Sequence, residues 1–321
     1  MKAAVYTEYG PPEVIKIKEI EKPVPKNNEV LIRVFASSMN RTDCGFRKPE
    51  YPLIIRLING IYRPKITVMG SEFSGVVEEA GKDVKDFNTG DEVFGLSTTK
   101  FGTHAEYVCI AESGSIALKP DGVTFEEAAG VCDGLMLALA YIREIDFSKE
   151  KKIIINGASG SIGTAGLQLA RYFGANITAV CNGKNTELVK SLGAEKVIDY
   201  EREDFTKDNE KYDIVFDAVG KSSFFKCKKI LKKNGIYFST ELGFMGQNVF
   251  LSLLTPLFRK RRVKFPVPKD SKKDIEFFKE LLEAGNYTAL IDKVYSLKEI
   301  VEAAKYVETG GKTGNVVIKI R

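Results

Sequence analysis

Asn156-Gly157-Ala158-Ser159-Gly160-Ser161-Ile162-Gly163 follows three consecutive isoleucines, Ile153 to Ile155, and precedes Ala165, Leu169 and Phe173 at helical spacing. A buried strand, a glycine turn and a helix in that order are the context in which such a motif holds a pyrophosphate. Gly157 permits the tight turn, Gly160 lets backbone amides approach the phosphates, and Gly163 lets the helix pack closely on the sheet. The first helical amides, around Ser159, Ser161 and Ile162, and the helix dipole then stabilise the phosphate charge. The glycines taken alone would equally fit a plain strand-to-helix turn.

Outward from the turn, strand and helix patterns alternate. Ile177 to Val180 reads as a strand, then a helix carries Leu188, Val189 and Leu192, and Val197-Ile198 follows. Ile214 to Phe216 is the next strand, then a helix is expected around Phe224 to Leu231, and Ile236 to Phe238 closes the series. That succession predicts a parallel sheet covered on both faces. The first third is different. Val30, Ile32 and Val34 alternate with Leu31 and Arg33, and a period of two runs from Ala105 to Ile110, with turn signals at Tyr9 to Pro12, Asn88 to Asp91 and Lys119 to Gly122. The tail from Lys272 reads as one amphipathic helix (Ile275, Phe278, Leu281, Leu282) and two strands, Ile291 to Tyr295 and Asn315 to Ile320.

The chain has 321 residues, 44% hydrophobic and 28% charged, which suits a soluble globular enzyme of about two domains. A net charge of +5 spread over many acids and bases is too mild to argue for nucleic acid. The five cysteines, Cys44, Cys109, Cys132, Cys181 and Cys227, never form a CxxC pair, and their scatter fits reduced thiols in the cytosol. One histidine, His104, cannot build a His-rich metal site. Met1 leads straight into a strand-like run rather than a leader peptide, and Phe244 to Phe258 is too short to cross a bilayer, so a cytoplasmic protein with no transmembrane segment is expected.

The second strand of the alternating region ends Cys181-Asn182-Gly183-Lys184-Asn185. A site for NAD usually places an acid there to grip the ribose 2′-hydroxyl. None is present in this loop, while Asn182, Lys184 and Asn185 can donate to a 2′-phosphate. NADPH is therefore the expected cofactor, against the alternative that Lys184 is a solvated loop lysine.

These segments, with Ser191-Leu192-Gly193-Ala194, Val197-Ile198-Asp199-Tyr200, Tyr212 to Asp217 and the closing Thr313-Gly314-Asn315, resemble the medium-chain dehydrogenase/reductase superfamily, and most its zinc-free quinone oxidoreductase branch. The resemblance implies an α/β protein: a GroES-like β-barrel domain over 1–125, a doubly wound Rossmann NADP-binding domain over 126–265, and a return to the catalytic domain over 266–321. The cofactor is then expected in the crevice between the domains, and a homodimer is implied.

The resemblance also implies site residues. Asn40, in Met39-Asn40-Arg41-Thr42-Asp43, matches an Asn that lies against the nicotinamide half of the cofactor. Tyr200 matches a tyrosine beside the 2′-phosphate. Leu242, Gly243, Phe265 and Val267 fall where the family's backbone lines the nicotinamide pocket. Asn315 stands where many members carry Lys, Met136 where many carry Thr, and Asp133 has no counterpart that explains it. Zinc-bearing relatives bind the catalytic ion through residues near Asn40, Ser71 and Cys132; Asn40 and Ser71 are not zinc ligands, and catalytic zinc needs three protein ligands.

Without a Lewis acid, a conjugated acceptor is easier to reduce than a simple carbonyl, because the hydride's charge spreads over quinone or enolate oxygens. The expected activity is NADPH-dependent hydride transfer to a quinone or an α,β-unsaturated carbonyl. The alternatives are a reductase of simple carbonyls and an NADPH-binding protein with little turnover. Candidate hydrogen-bond or proton donors are Asn40, Tyr51, Tyr62, Ser71 and His104, with Asn40 and Tyr62 named as catalytic. The competing readings make the tyrosines loop residues on an apolar wall and His104 a surface or turn histidine. Tyr51 to Ile61 is an apolar insertion that fits either a lip for a lipophilic acceptor or a core helix. Arg259 to Arg262 fits a solvated helix end, or a contact with anionic membrane or the cofactor.

Overall fold

The computed structural model describes residues 1–48, 56–57, 59–258 and 260–321. Tyr51, most of the Tyr51 to Ile61 insertion, and Arg259 lie outside the described residues. The chain divides into two compact units, Met1–Asp133 with Asp270–Arg321, and Gly134–Lys269.

In the first unit, β1 (Lys2–Val5) pairs antiparallel with β2 (Lys16–Glu19). The long β3 (Glu29–Met39) is followed by α1 (Arg41–Arg47), β4 (Glu72–Ala80), β5 (Glu92–Leu96), β6 (Tyr107–Ala111) and β7 (Ile116–Leu118). β3 pairs antiparallel with both β4 and β6, and β4 continues through β5 to β7. The period of two seen in the sequence sends Val30, Ile32 and Val34 into a core with Phe73, Val93 and Ile116.

α2 (Phe125–Ile142) carries the chain into the second unit. There β8 (Lys152–Asn156), α3 (Ser161–Tyr172), β9 (Asn176–Cys181), α4 (Thr186–Ser191) and β10 (Lys196–Asp199) alternate. β11 (Tyr212–Asp217), α5 (Phe224–Cys227), β12 (Leu231–Ser239), α6 (Gln247–Leu254) and β13 (Arg262–Lys264) complete it. The six strands are parallel in the order β10-β9-β8-β11-β12-β13. Strand order reverses at β8, which places its carboxyl end at the switch point where α/β sheets bind ligands. The sequence made a longer helix of Phe224 to Leu231. It is one turn, because Leu231 is drawn into β12 beside Tyr212.

The chain then returns to the first unit through α7 (Lys272–Glu283), β14 (Ile291–Ser296), α8 (Ile300–Glu308) and β15 (Asn315–Lys319), and β15 pairs antiparallel with β3. The tail thus holds two helices, not one. α8 buries Ile300, Ala303, Ala304 and Val307 at helical spacing, and a Ser296/Glu299 capping box precedes it. Two alanines in that stripe make its hydrophobic signal faint. Among the described residues no helix is long and apolar enough to cross a membrane.

Candidate cofactor and active-site residues

The glycine turn has the form its sequence requires. Gly157 adopts φ +79, in the left-handed region where a side chain is strained. A Cβ on Gly163 would lie 2.0 Å from the Gly157 carbonyl oxygen and 2.8 Å from Ala158 Cα, so only glycine lets α3 seat against the turn. Gly160, the N-cap of α3, is in the extended region at φ −81 and ψ 174. A Cβ there would meet nothing nearer than the Gly157 oxygen at 3.6 Å, so the space above this residue is open. The Gly160 amide donates to the Gly157 oxygen at 3.1 Å and the Thr164 amide to the Gly160 oxygen at 2.8 Å. The amides of Ser161, Ile162 and Gly163 are left at the helix start with no intrahelical acceptor. The strand ends are tied beneath: Asn156 Nδ2 donates to Asp217 Oδ1 at 2.9 Å, and Tyr237 Oη and the Ser222 amide donate to Asp217 Oδ2 at 3.1 and 2.8 Å.

At the end of β9, Cys181 is buried, Asn185 is buried, and Lys184 projects into solvent. Asn182 Oδ1 is buried without a hydrogen-bond partner, an acceptor that a ribose hydroxyl would satisfy. A dinucleotide therefore fits the residues present. The loop itself carries no acid, as the sequence suggested, but a carboxylate reaches it from the neighbouring strand. β10 runs beside β9 with Asp199 in register with Cys181. Asp199 Oδ2 lies 2.7 Å from where a Gly183 Cβ would be. Spacing along the chain hides it because it arrives from the neighbouring strand. Arg202 Nε, 3.5 Å from Asp199 Oδ2, offsets its charge, and the next residue, Tyr200, is half-exposed. Leu242, Gly243 and Phe265 are partly exposed and Val267 is exposed, all after β12, with Gly243 at φ +72.

In the first unit a buried polar cluster surrounds Asn40, the N-cap of α1. Its Oδ1 accepts from the Asp43 amide, and its own amide donates to Asp43 Oδ2, each at 3.0 Å. Asn40 Nδ2 donates to Ser71 Oγ at 3.0 Å. Gly70 and His104 amides bracket this loop: Gly70 N donates to Asp43 Oδ1 at 2.9 Å, and His104 N to the Met69 oxygen at 3.0 Å. Gly70 must be glycine, because at φ +92 its Cβ would strike Thr103 and His104.

His104 lies at a bend of the backbone, as its neighbours in sequence implied, but it is not at the surface. It is 1% exposed, with Nε2 2.7 Å from the Ser38 carbonyl oxygen and 3.9 Å from Asp43 Oδ2. The bridge from Ala105 to Ala3 in the β1 strand carries it inside. Tyr62 is 90% exposed.

Asp133 now has neighbours. Its amide donates to Glu72 Oε1 at 2.7 Å, and the Ser38 hydroxyl donates to Glu72 Oε2. Burial, reinforced by Asp133, raises the Glu72 carboxyl, and burial with the Asp43 charge raises that of Asp133. Burial likewise raises Asp43 and lowers Lys312 to about 8, against the pull of Asp133 and Glu72. Lys312 Nζ also donates to the Gly314 oxygen at 2.6 Å. Cys132 is wholly buried, its Sγ donating to the Ala128 oxygen at 3.6 Å, and burial raises its thiol. Among the described residues no group of three His, Cys, Asp or Glu is arranged to hold a metal ion. Asn315 is buried, with its backbone and side-chain amides both on the Leu290 oxygen at 2.8 and 3.1 Å. Met136 is also buried.

The alcohol dehydrogenase GroES-like domain family matches residues 26–121, and a family described as zinc-binding dehydrogenase matches residues 192–318. The chain is 33% identical to 2-methylene-furan-3-one reductase of Solanum lycopersicum over 99% of its length and 79% of the relative's. It is 32% identical to the chloroplastic NADPH-dependent alkenal/one oxidoreductase of Arabidopsis thaliana, with the same coverage. The quinone oxidoreductase of Coxiella burnetii superposes with a TM-score of 0.89 at 27% identity, covering 100% of this chain and 99% of that one. With the fold, the turn and these relatives together, the chain is an oxidoreductase that belongs to the medium-chain dehydrogenase/reductase superfamily, in its quinone oxidoreductase branch.

Proposed function

We propose that this protein uses NADPH, without zinc, to reduce a quinone or an α,β-unsaturated carbonyl. The observation that carries the reading is the hydrogen bond from Asn40 to Ser71, an amide and a hydroxyl joined at 3.0 Å where zinc-dependent relatives need metal ligands. The similarity to an enone reductase and an NADPH-dependent alkenal/one oxidoreductase supports the substrate class.

NADPH, when bound, supplies the hydride. The chain's own residues hold it. The free amides of Ser161, Ile162 and Gly163 and the dipole of α3 stabilise the pyrophosphate. Asn182 and Asn185 bind toward the adenosine ribose, Lys184 draws the 2′-phosphate by charge, and Arg202 restrains Asp199 from repelling it. Tyr200 packs alongside. Leu242, Gly243, Phe265 and Val267 would line the nicotinamide side through backbone and apolar contact. Asn40, fixed by the α1 capping box, is the donor that orients the nicotinamide or the acceptor oxygen, with Ser71 behind it. Reduction of a conjugated acceptor leaves charge on oxygen, where such donors suffice. The proton then comes from water, and the solvent-facing Tyr62 is its side-chain alternative.

The test is direct. Purified protein is mixed with NADPH, and absorbance loss is followed with a naphthoquinone, a hydroxyalkenal and a saturated aldehyde. Turnover of the first two is expected. Turnover of the saturated aldehyde alone contradicts the proposal, and tight NADPH binding without any turnover favours a cofactor-binding protein.

A further inference from the structure

Three buried carboxyl groups, those of Asp43, Glu72 and Asp133, belong to the polar cluster around Asn40. Two are fully engaged. Asp43 accepts from the Gly70 amide on Oδ1 at 2.9 Å and from the Asn40 amide on Oδ2 at 3.0 Å. Glu72 accepts from the Asp133 amide on Oε1 at 2.7 Å and from the Ser38 hydroxyl on Oε2. Asp133 differs. It is tied in by its backbone amide, while its carboxyl oxygens accept no hydrogen bond among the described residues. The residue is only 7% exposed, yet those oxygens are not sealed in. The buried side-chain atoms shut away without a partner, among the described residues, are Arg33 Nε, Asn182 Oδ1 and Asn248 Oδ1. Asp133 is therefore a buried acid with no donor of its own and with its oxygens open to an incoming group.

Its surroundings decide its state. Glu72 faces it from β4, Asp43 from α1 and Lys312 from the segment before β15. Cys132 precedes it on α2, and Tyr287 stands near Glu72 and Cys132. A carboxylate without a donor, buried beside two other acids, is less stable than the neutral form, so Asp133 keeps its proton. Lys312 acts the other way and steadies the anion once the proton has left. An acid placed like this can donate a proton. Water serves for the oxygens of a reduced quinone, but an enone sets a harder task. Hydride adds to its β-carbon, the C=C electron pair passes to the enolate, and the α-carbon must then take a proton. We propose that Asp133 is the catalytic acid for enones. It gives its carboxyl proton to the α-carbon, forming the second new C–H bond, and stays a carboxylate until solvent returns a proton. The C=C bond is reduced to C–C and NADPH is the reductant, so this inference rests on the proposed function.

The experiment gives the full-length protein NADPH with a naphthoquinone or with an α-methyl enone, whose product gains a stereocentre where the proton lands. The parent should yield one enantiomer, read by chiral chromatography. Asp133→Asn should lower enone turnover by about a hundredfold and quinone turnover far less, because a placed acid contributes on that order. Its residual product should approach a racemate, and Asp133→Glu should restore part of the rate. A merely structural role would slow both acceptors together and leave the handedness alone. In the ligand-free protein, the infrared band of protonated carboxyls should weaken in Asp133→Asn. If that variant misfolds, the parent still decides. Its enone turnover should fall as pH rises through neutrality and Asp133 ionises, without a matching fall for the quinone. A ratio of enone to quinone turnover that moves neither with pH nor in the variant, or an unchanged product enantiomer in Asp133→Asn, overturns the assignment of Asp133 alone. A parent that reduces neither acceptor overturns the proposed function with it.

Discussion

Two alanine substitutions in one turn separate binding from stability. In Gly160→Ala the new methyl enters open space, 3.6 Å from the nearest atom, on a backbone at φ −81 that any residue adopts. The folded protein should tolerate it to within about 1 kcal/mol, since a compatible Gly to Ala change costs little and restricts the unfolded chain. That same open space is where a pyrophosphate must approach the amides. Losing one charge-assisted hydrogen bond costs about 1.5–3 kcal/mol, or ten- to a hundredfold in Kd. Gly163→Ala is the converse. Its Cβ would sit 2.0 Å from the Gly157 oxygen, where ordinary contact needs about 3.5 Å, so α3 must retreat by on the order of 1 Å. Overpacking of this kind costs about 1–3 kcal/mol, each worth about 2–4 °C of melting temperature. Thermal unfolding with and without NADPH, and a fluorescence titration, read both quantities. If Gly160→Ala binds NADPH within about twofold of the parent, no pyrophosphate lies on this turn. If it melts many degrees lower, the space above Gly160 is not open.

Lys184→Ala should weaken NADPH by up to about fivefold and leave NADH unchanged, whereas Asp199→Asn should favour NADPH; equal effects on both cofactors would remove these residues from the 2′-phosphate site. Dialysis against a chelator should leave turnover intact, and activity lost there but restored by zinc would refute the metal-free reading. Stability should fall as pH rises from the ordinary carboxylate range through neutrality. Glu72 and Asp133 are raised by burial, so the folded chain keeps protons that the unfolded chain has already released. Asp133→Asn removes one of them and should flatten the melting temperature between about pH 4 and 7; an unchanged slope would show that this pair does not govern it.

Much of the architecture was legible because its signals are local. The isoleucines of β8, the glycine turn and the first helical residues lie within one short segment, and each element's period can be read without knowing its neighbours. What escaped depends on contacts between distant segments. His104 looks like a loop histidine beside Thr103, yet the bridge between Ala105 and Ala3 buries it. Asp199 is invisible to any count from the glycines because the β9–β10 register, not sequence spacing, brings it beside Gly183. Asp133 was only an oddity in sequence, since Glu72 and Lys312, which give it a setting, lie far before and far after it in the chain. α8 was missed for a different reason, that alanine buries well but marks a helix face weakly.

The pairing of β15 with β3, which joins Val316 to Met39, also sets an order of events during synthesis. By the time residue 269 leaves the ribosome, every strand of the parallel sheet exists, and that unit can close on its own contacts. The barrel strands made first must wait, with the β15 side of β3 unpaired, until the last of their partners is translated. During that interval an open strand edge is a hazard for misassembly. A substitution that slows tail docking, such as a polar residue at Val317, should therefore reduce yield in the cell more than it lowers the melting temperature of the protein that survives.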